Sequence, residues 1–119
     1  MTAQFDDIAQ FVRDPQVPDS AREMAALLLI DTLGVAAGAR NLDASRIARD
    51  HALAFHGAQE RGDSARLLFD GRRASIPGTA FAGATQIDNL DGHDGYNPTK
   101  GHIGCAVVPA LIAFAEAHP

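Results

Sequence analysis

Tryptophan is missing altogether, tyrosine occurs once, and the 119-residue chain holds a single cysteine, Cys105. One cysteine excludes an intrachain disulfide and a cysteine-based metal cluster, and it fits a reducing compartment. With so few aromatics there is no stacking platform for single-stranded nucleic acid. Positive charge is also short. Ten Lys and Arg against fifteen Asp and Glu leave a net charge of −5. The arginines are scattered and the Arg72-Arg73 pair forms no basic patch, whereas binding a phosphate backbone needs clustered cations. The longest apolar run, Met24 to Ile30, falls far short of the roughly 20 residues that a membrane span needs. Met1 to Asp7 is polar and acidic, with no basic-then-apolar leader pattern. The expectation is a cytoplasmic protein with no nucleic-acid and no membrane partner.

What is present suits one globular unit over residues 1–119. An apolar content of 46% suffices for a core, and 21% charged residues is ordinary for a soluble surface. Nearly every segment carries a helical pattern. Phe5, Ile8, Phe11 and Val12 recur at helical spacing until Pro15 and Pro18 interrupt them. Ser20 with Glu23 reads as a capping box that opens a helix to about Ala39. Its apolar content on most sides from Met24 to Val35 predicts a central, buried helix. Asn41 and Asp43 are candidate caps for a third helix with an apolar face at Ala44, Ile47, Ala48, His51, Ala54 and Phe55. Ala65 to Phe69, followed by Asp70-Gly71, is the one β signal, a short hairpin near 65–74. Pro77 suits the first turn of a helix through Ile87 and Asp88, with Gly92 as its stop. Ile103, Ala106, Val107, Ala110, Leu111 and Phe114 form an apolar stripe on a last helix to about His118, in which Pro109 should introduce a kink. The fold class is all-α, a bundle of about five helices with at most that hairpin.

Chemistry concentrates between residues 88 and 102. Within fifteen residues stand Asp88, Asp91, His93, Asp94, Tyr96, Thr99, Lys100 and His102. Asp88 and Asp91, three apart on a helix, would share a face. Glycines at 92, 95, 101 and 104 permit sharp turns and close approach to a ligand. The start of the last helix offers free N–H groups to a carboxylate. The loop thus supplies carboxylates for proton transfer, a histidine that titrates near neutrality, and cationic donors for an anionic substrate. Two other readings stand beside this one. The segment can be a polar interhelix loop with capping aspartates, or a metal site built on His93, His102 and two aspartates. It is not an EF-hand, since the alternating ligands and the closing Glu are absent. Cys105 is expected to be a small buried helix residue rather than a nucleophile served by His102, and His51 and His56 ordinary helix positions. Tyr96 is either a proton donor or an exposed loop residue.

Three separated motifs in the same order resemble one family. They are Ala26-Leu-Leu-Leu-Ile-Asp31-Thr-Leu-Gly34-Val-Ala-Ala-Gly38, then Ile76-Pro-Gly-Thr-Ala-Phe-Ala-Gly83, and then Leu90-Asp91-Gly-His-Asp94 with Gly101-His102-Ile-Gly104 and Val108-Pro109-Ala-Leu-Ile-Ala-Phe-Ala-Glu116. Together they resemble the N-terminal part of the helical domain of the MmgE/PrpD family, which includes 2-methylcitrate dehydratase, cis-aconitate decarboxylase and iminodisuccinate epimerase. The resemblance implies proton transfer at a carbon next to a carboxylate of a small di- or tricarboxylate, with no metal and no organic cofactor. It implies that Asp91 and His102 are catalytic with Asp94 as a second acid, and that Lys100, Thr99, His93 and Tyr96 bind substrate. Gly95 stands where decarboxylase members carry threonine, and the loop from Gly95 to Lys100 differs in length from theirs. The family's enzymes are several times longer and take a lysine, another histidine and a tyrosine from later sequence. The expectation is therefore an N-terminal piece, inactive alone: a cloned domain, a truncated reading frame or one half of a split enzyme. The other expectation is a helical interaction module, completed by a partner chain or by self-association as a homo-oligomer.

Overall fold

The computed structural model of the chain describes residues 2–58, 61–92, 95, 97–98 and 100–119. Among them it forms five helices and one two-stranded sheet: α1 (Thr2–Arg13), α2 (Asp19–Ala39), α3 (Asp43–Phe55), β1 (Ser64–Arg66), β2 (Arg73–Ser75), α4 (Ile76–Asp88) and α5 (Ile103–Ala117). The all-α expectation and its hairpin both hold. β1 and β2 pair antiparallel with Ala65 opposite Ala74. The turn between them closes where the Asp70 and Gly71 amides donate to the Leu67 carbonyl, with Gly71 at φ +89°. No single helix among the described residues is long and apolar enough to cross a membrane.

α4 is the hub. It packs along α5, α3, the sheet and the C-terminal half of α2. Its start is well determined by sequence: Pro77 sits in the first turn, and the Ser75 hydroxyl accepts from the Gly78 amide at 3.2 Å. Glycines let its neighbours come close. A Cβ on Gly83 would stand 2.7 Å from the Cβ of Pro109 on α5, and one on Gly78 would stand 2.5 Å from the Cβ of His56. Among the described residues, eight of the ten buried hydrophobic side chains other than Pro109 are alanines, with Leu67 and Ile87 the exceptions. Such a core sets short helix separations but removes little apolar surface from water per residue.

Polar bonds supply the rest of the interior. Arg49 of α3, with 7% of its side chain exposed, donates to Gln86 Oε1 at 2.6 Å and to the Arg40 carbonyl at 2.8 Å. Its Nε lies 3.3 Å from Asp70 Oδ2 in the hairpin turn. Gln86 in turn donates to the Ala36 carbonyl at 2.7 Å. One guanidinium and one amide thus join the end of α2, α3, α4 and the hairpin.

Several local expectations fail. The Ser20–Glu23 capping box does not form: Pro18, fixed at φ −58°, ψ 146°, is the residue before α2, and Asp19 is already helical. Neither Asn41 nor Asp43 caps α3. Leu42 occupies that position, and Asp43 lies inside the first turn, paired with Arg46 at 2.9 Å. α2 is not a buried central helix. Only Ala36 and Ala39 are buried, while Met24, Leu27, Leu28 and Ile30 are more than half exposed, because only the helix's last turns meet α4. The stripe on α5 also faces outward. Ile103, Val107, Leu111 and Phe114 are 41–68% exposed, and the face turned to α4 carries Pro109 and Ala113. Pro109 replaces a backbone donor inside α5, and that donor loss is accepted on the side packed against Gly83.

Candidate active site

α4 stops at Asp88, four residues before Gly92, because the chain turns at Asn89 and the Asp91 amide bonds back to the Asp88 carbonyl at 2.9 Å. Asp88 and Asp91 therefore do not share a helix face. Asp91 stands beyond the helix at φ +52°, a left-handed conformation that a short polar side chain tolerates. The chain then passes close to α2, where a Cβ on Gly92 would lie 3.3 Å from Val35 Cγ2.

At the other end of the loop a second left-handed residue appears. Lys100 has φ +54°, and its amide donates to the Asn97 carbonyl at 3.3 Å. Its ammonium donates to Asn97 Oδ1 at 2.8 Å. One asparagine thus holds both ends of the lysine. Asn-Pro favours the turn, but nothing in the sequence singled out Asn97 as a partner of Lys100. His102 occupies the position just before α5, at φ −126°. Its ring lies against Gly95, with Nδ1 3.6 Å from where a Cβ would project. Gly95, Asn97, Lys100, Gly101 and His102 line one pocket of about 260 Å3 at the head of α5.

Of the seven expected site residues, Lys100 and His102 are brought together in that pocket, and Asp91 stands at the α4 end of the same loop. His93, Asp94, Tyr96 and Thr99 lie outside the described residues. Cys105 is half-buried rather than buried. Its thiol donates to the His102 carbonyl at 3.0 Å and lies 3.9 Å from Asp88 Oδ1, so it braces the first turn of α5 against the end of α4. His51 and His56 are not isolated. Their rings lie 5.5 Å apart, and both stand near Phe81. Among the described residues no group of three or more His, Cys, Asp or Glu is arranged to hold a metal ion.

The strong electrostatic pairs sit away from this pocket and hold the frame. Hydrogen bonds from Arg72 keep the Asp70 carboxyl below its ordinary value against the opposing effect of burial, and Asp70 raises Arg72 in return. Burial pushes Glu116 up, but hydrogen bonds and charge from Arg66, with the charge of Arg73, leave it below the usual carboxylate range. Arg66 Nε and Glu116 Oε1 are 2.5 Å apart, which ties the end of α5 to β1.

No curated protein and no solved structure matches the chain. A family model does. The MmgE/PrpD N-terminal domain matches residues 6–119, which covers the α2 motif, the start of α4 and the whole loop from Asp91 to His102, and on that extent the chain belongs to the MmgE/PrpD N-terminal domain family.

Proposed function

We propose that this chain supplies the aspartate–histidine corner of an enzyme that moves a proton at carbon next to a carboxylate in a small di- or tricarboxylate. The observation that carries the reading is Lys100. A non-glycine residue in the left-handed region is held at an energetic cost, and such positions cluster where a ligand is gripped. Here the strained lysine has its ammonium aligned by Asn97 beside His102, at a helix start whose dipole favours an anion. Lys100 binds a substrate carboxylate, with Thr99, His93 and Tyr96 as further contacts. His102 and Asp91, with Asp94, exchange the proton. Dehydration, decarboxylation and epimerisation all include a proton transfer at such a carbon. In the family the set is completed by a lysine, a histidine and a tyrosine from later sequence, so the chain alone binds but does not turn over.

The test has two parts. Purified chain incubated with 2-methylcitrate or cis-aconitate should give no product, and robust turnover would overturn the incomplete-site reading. Titration with the same acids, followed by NMR, should shift the His102 ring signals. Lys100→Ala should remove that shift. Unmoved His102 signals at millimolar ligand would refute carboxylate binding.

A second reading is favoured by the exposed side chains of α2 and α5: an interaction module whose apolar faces are completed by another chain. A helix that is apolar on most sides is a helix meant to be covered.

A further inference from the structure

We propose that the two imidazoles at the end of α3, His51 and His56, form a binding site for a divalent cation of the zinc type, separate from the loop at the head of α5. Five positions apart, the two residues would fall on different sides of a continuous helix, about 140° from each other. α3 stops at Phe55, however, and His56 leaves it at φ −126°, ψ 41°. That exit brings the second ring back to the first. The ring centres stand 5.5 Å apart, with their planes inclined by 55°.

This is the spacing that one shared ion imposes. With Zn–N bonds of about 2.0–2.1 Å and roughly 1.1 Å from a ring nitrogen to the ring centre, two imidazoles on a tetrahedral ion have centres about 5.2 Å apart. Both residues are exposed, so an ion reaches them from solvent. Nitrogen ligands suit zinc, nickel or copper, whereas magnesium and calcium take oxygen.

The pair is also held in place by its neighbours. The His56 amide donates to the Ala52 carbonyl at 2.9 Å, and its carbonyl accepts from the Ser75 amide at 2.7 Å. Gly78 makes room for the His56 side chain, since a Cβ there would stand 2.5 Å from the His56 Cβ. Phe81 flanks both rings, 5.7 Å from His51 and 6.5 Å from His56, and Phe55 lies 4.9 Å from His51. Such contacts restrict the rings before binding, so less side-chain freedom is lost when an ion arrives. Asp50 is engaged by Arg72 at 3.2 Å and does not join the pair. Two imidazoles are thus the protein's contribution among the described residues, and water completes a four-coordinate ion. From Gly78 to Asp88 the α4 helix rises about 15 Å, which sets the ion apart from the carboxylate loop.

Zinc titration of the full chain, followed by NMR on the ring nitrogens of its five histidines, tests this. Zinc takes neutral imidazole, so mildly alkaline buffer is used. One zinc per chain should shift His51 and His56 together and raise the thermal midpoint by mass action. His51→Phe and His56→Phe keep a ring in the aromatic cluster and remove its nitrogens. Each should retain the parent's far-UV circular dichroism, lose at least about 10-fold in zinc affinity because one of two protein ligands is gone, and lose the midpoint rise. If His56→Phe does not fold, His51→Phe, at an exposed helix position, decides alone. His102→Ala should leave the zinc titration unchanged. Shifts confined to one of the two rings, affinity kept in a folded variant, or binding lost in His102→Ala instead would overturn the proposal. The carboxylate titration reads His102 without zinc, so either result stands apart from the other.

Discussion

Gln86 is 1% exposed, and it holds the buried guanidinium of Arg49 on one side and the Ala36 carbonyl on the other. Gln86→Leu keeps much of the volume and removes both bonds. The hydrogen bond from a charged donor contributes about 1.5–3 kcal/mol, and stranding a buried carbonyl costs about 1–3 kcal/mol. The sum predicts a loss of roughly 2.5–6 kcal/mol, a large fraction of the ~5–15 kcal/mol that holds an ordinary domain. With a urea slope of about 2 kcal/mol/M, the midpoint of unfolding followed by circular dichroism should fall by about 2 M. Combining Gln86→Leu with Arg49→Met should cost less than the two single changes added, by about 1.5–3 kcal/mol, because the double variant leaves no unpaired partner between these two positions. The consequence reaches the candidate site, since this network fixes the end of α2 to α4, and α4 leads directly to Asp91. A midpoint shift below about 0.5 M, or strictly additive changes, would show that the network does not hold these helices together.

Gly83→Ala should destabilise the chain by about 1–3 kcal/mol, since the new Cβ would stand 2.7 Å from Pro109 and α5 must shift. NMR should show His102, at the head of that helix, moving with it. Lys100→Gly should leave the thermal midpoint unchanged or raise it, because it releases a residue at φ +54°, while tricarboxylate binding read by calorimetry is lost. Stability should also fall on acidification. Asp70 and Glu116 both bind protons less readily folded than unfolded. Their contribution is therefore present above the unfolded values, near 4, and is lost as pH drops through the lower folded ones. Thermal melts from neutral pH downward should show this, and Asp70→Asn should flatten part of the slope.

Two local features were legible in the sequence because a single residue type dictates each, whereas the side-chain caps expected for α2 and α3 do not form. The Asp70-Gly71 turn forms as expected because glycine adopts φ +89° without strain. Pro77 marks the first turn of α4 because its missing donor and fixed φ suit that position. The three ordered motifs identified the family, which the match over residues 6–119 bears out. Periodicity also located α5 correctly, yet it named the wrong face. An apolar stripe tells which side seeks cover, not whether the chain in hand provides it, and here Ile103, Val107, Leu111 and Phe114 are bare while Pro109 and Ala113 are buried. For the same reason α2 looked central in sequence and lies open in space. Small residues decided the packing: alanines and Gly83 let α4 and α5 approach closely, and no rule of alternation weighs that above large side chains. The anchoring of Lys100 by Asn97 is a turn contact that residue types did not single out, and the union of Arg49, Gln86 and Asp70 was settled by tertiary structure alone. A hydrogen bond between partners 37 residues apart, such as Arg49 to Gln86, leaves no periodic trace in the chain. The sequence by itself determined which segments become helices and which family the chain belongs to. Only the three-dimensional packing determined which faces meet, because that choice depends on what stands opposite each helix.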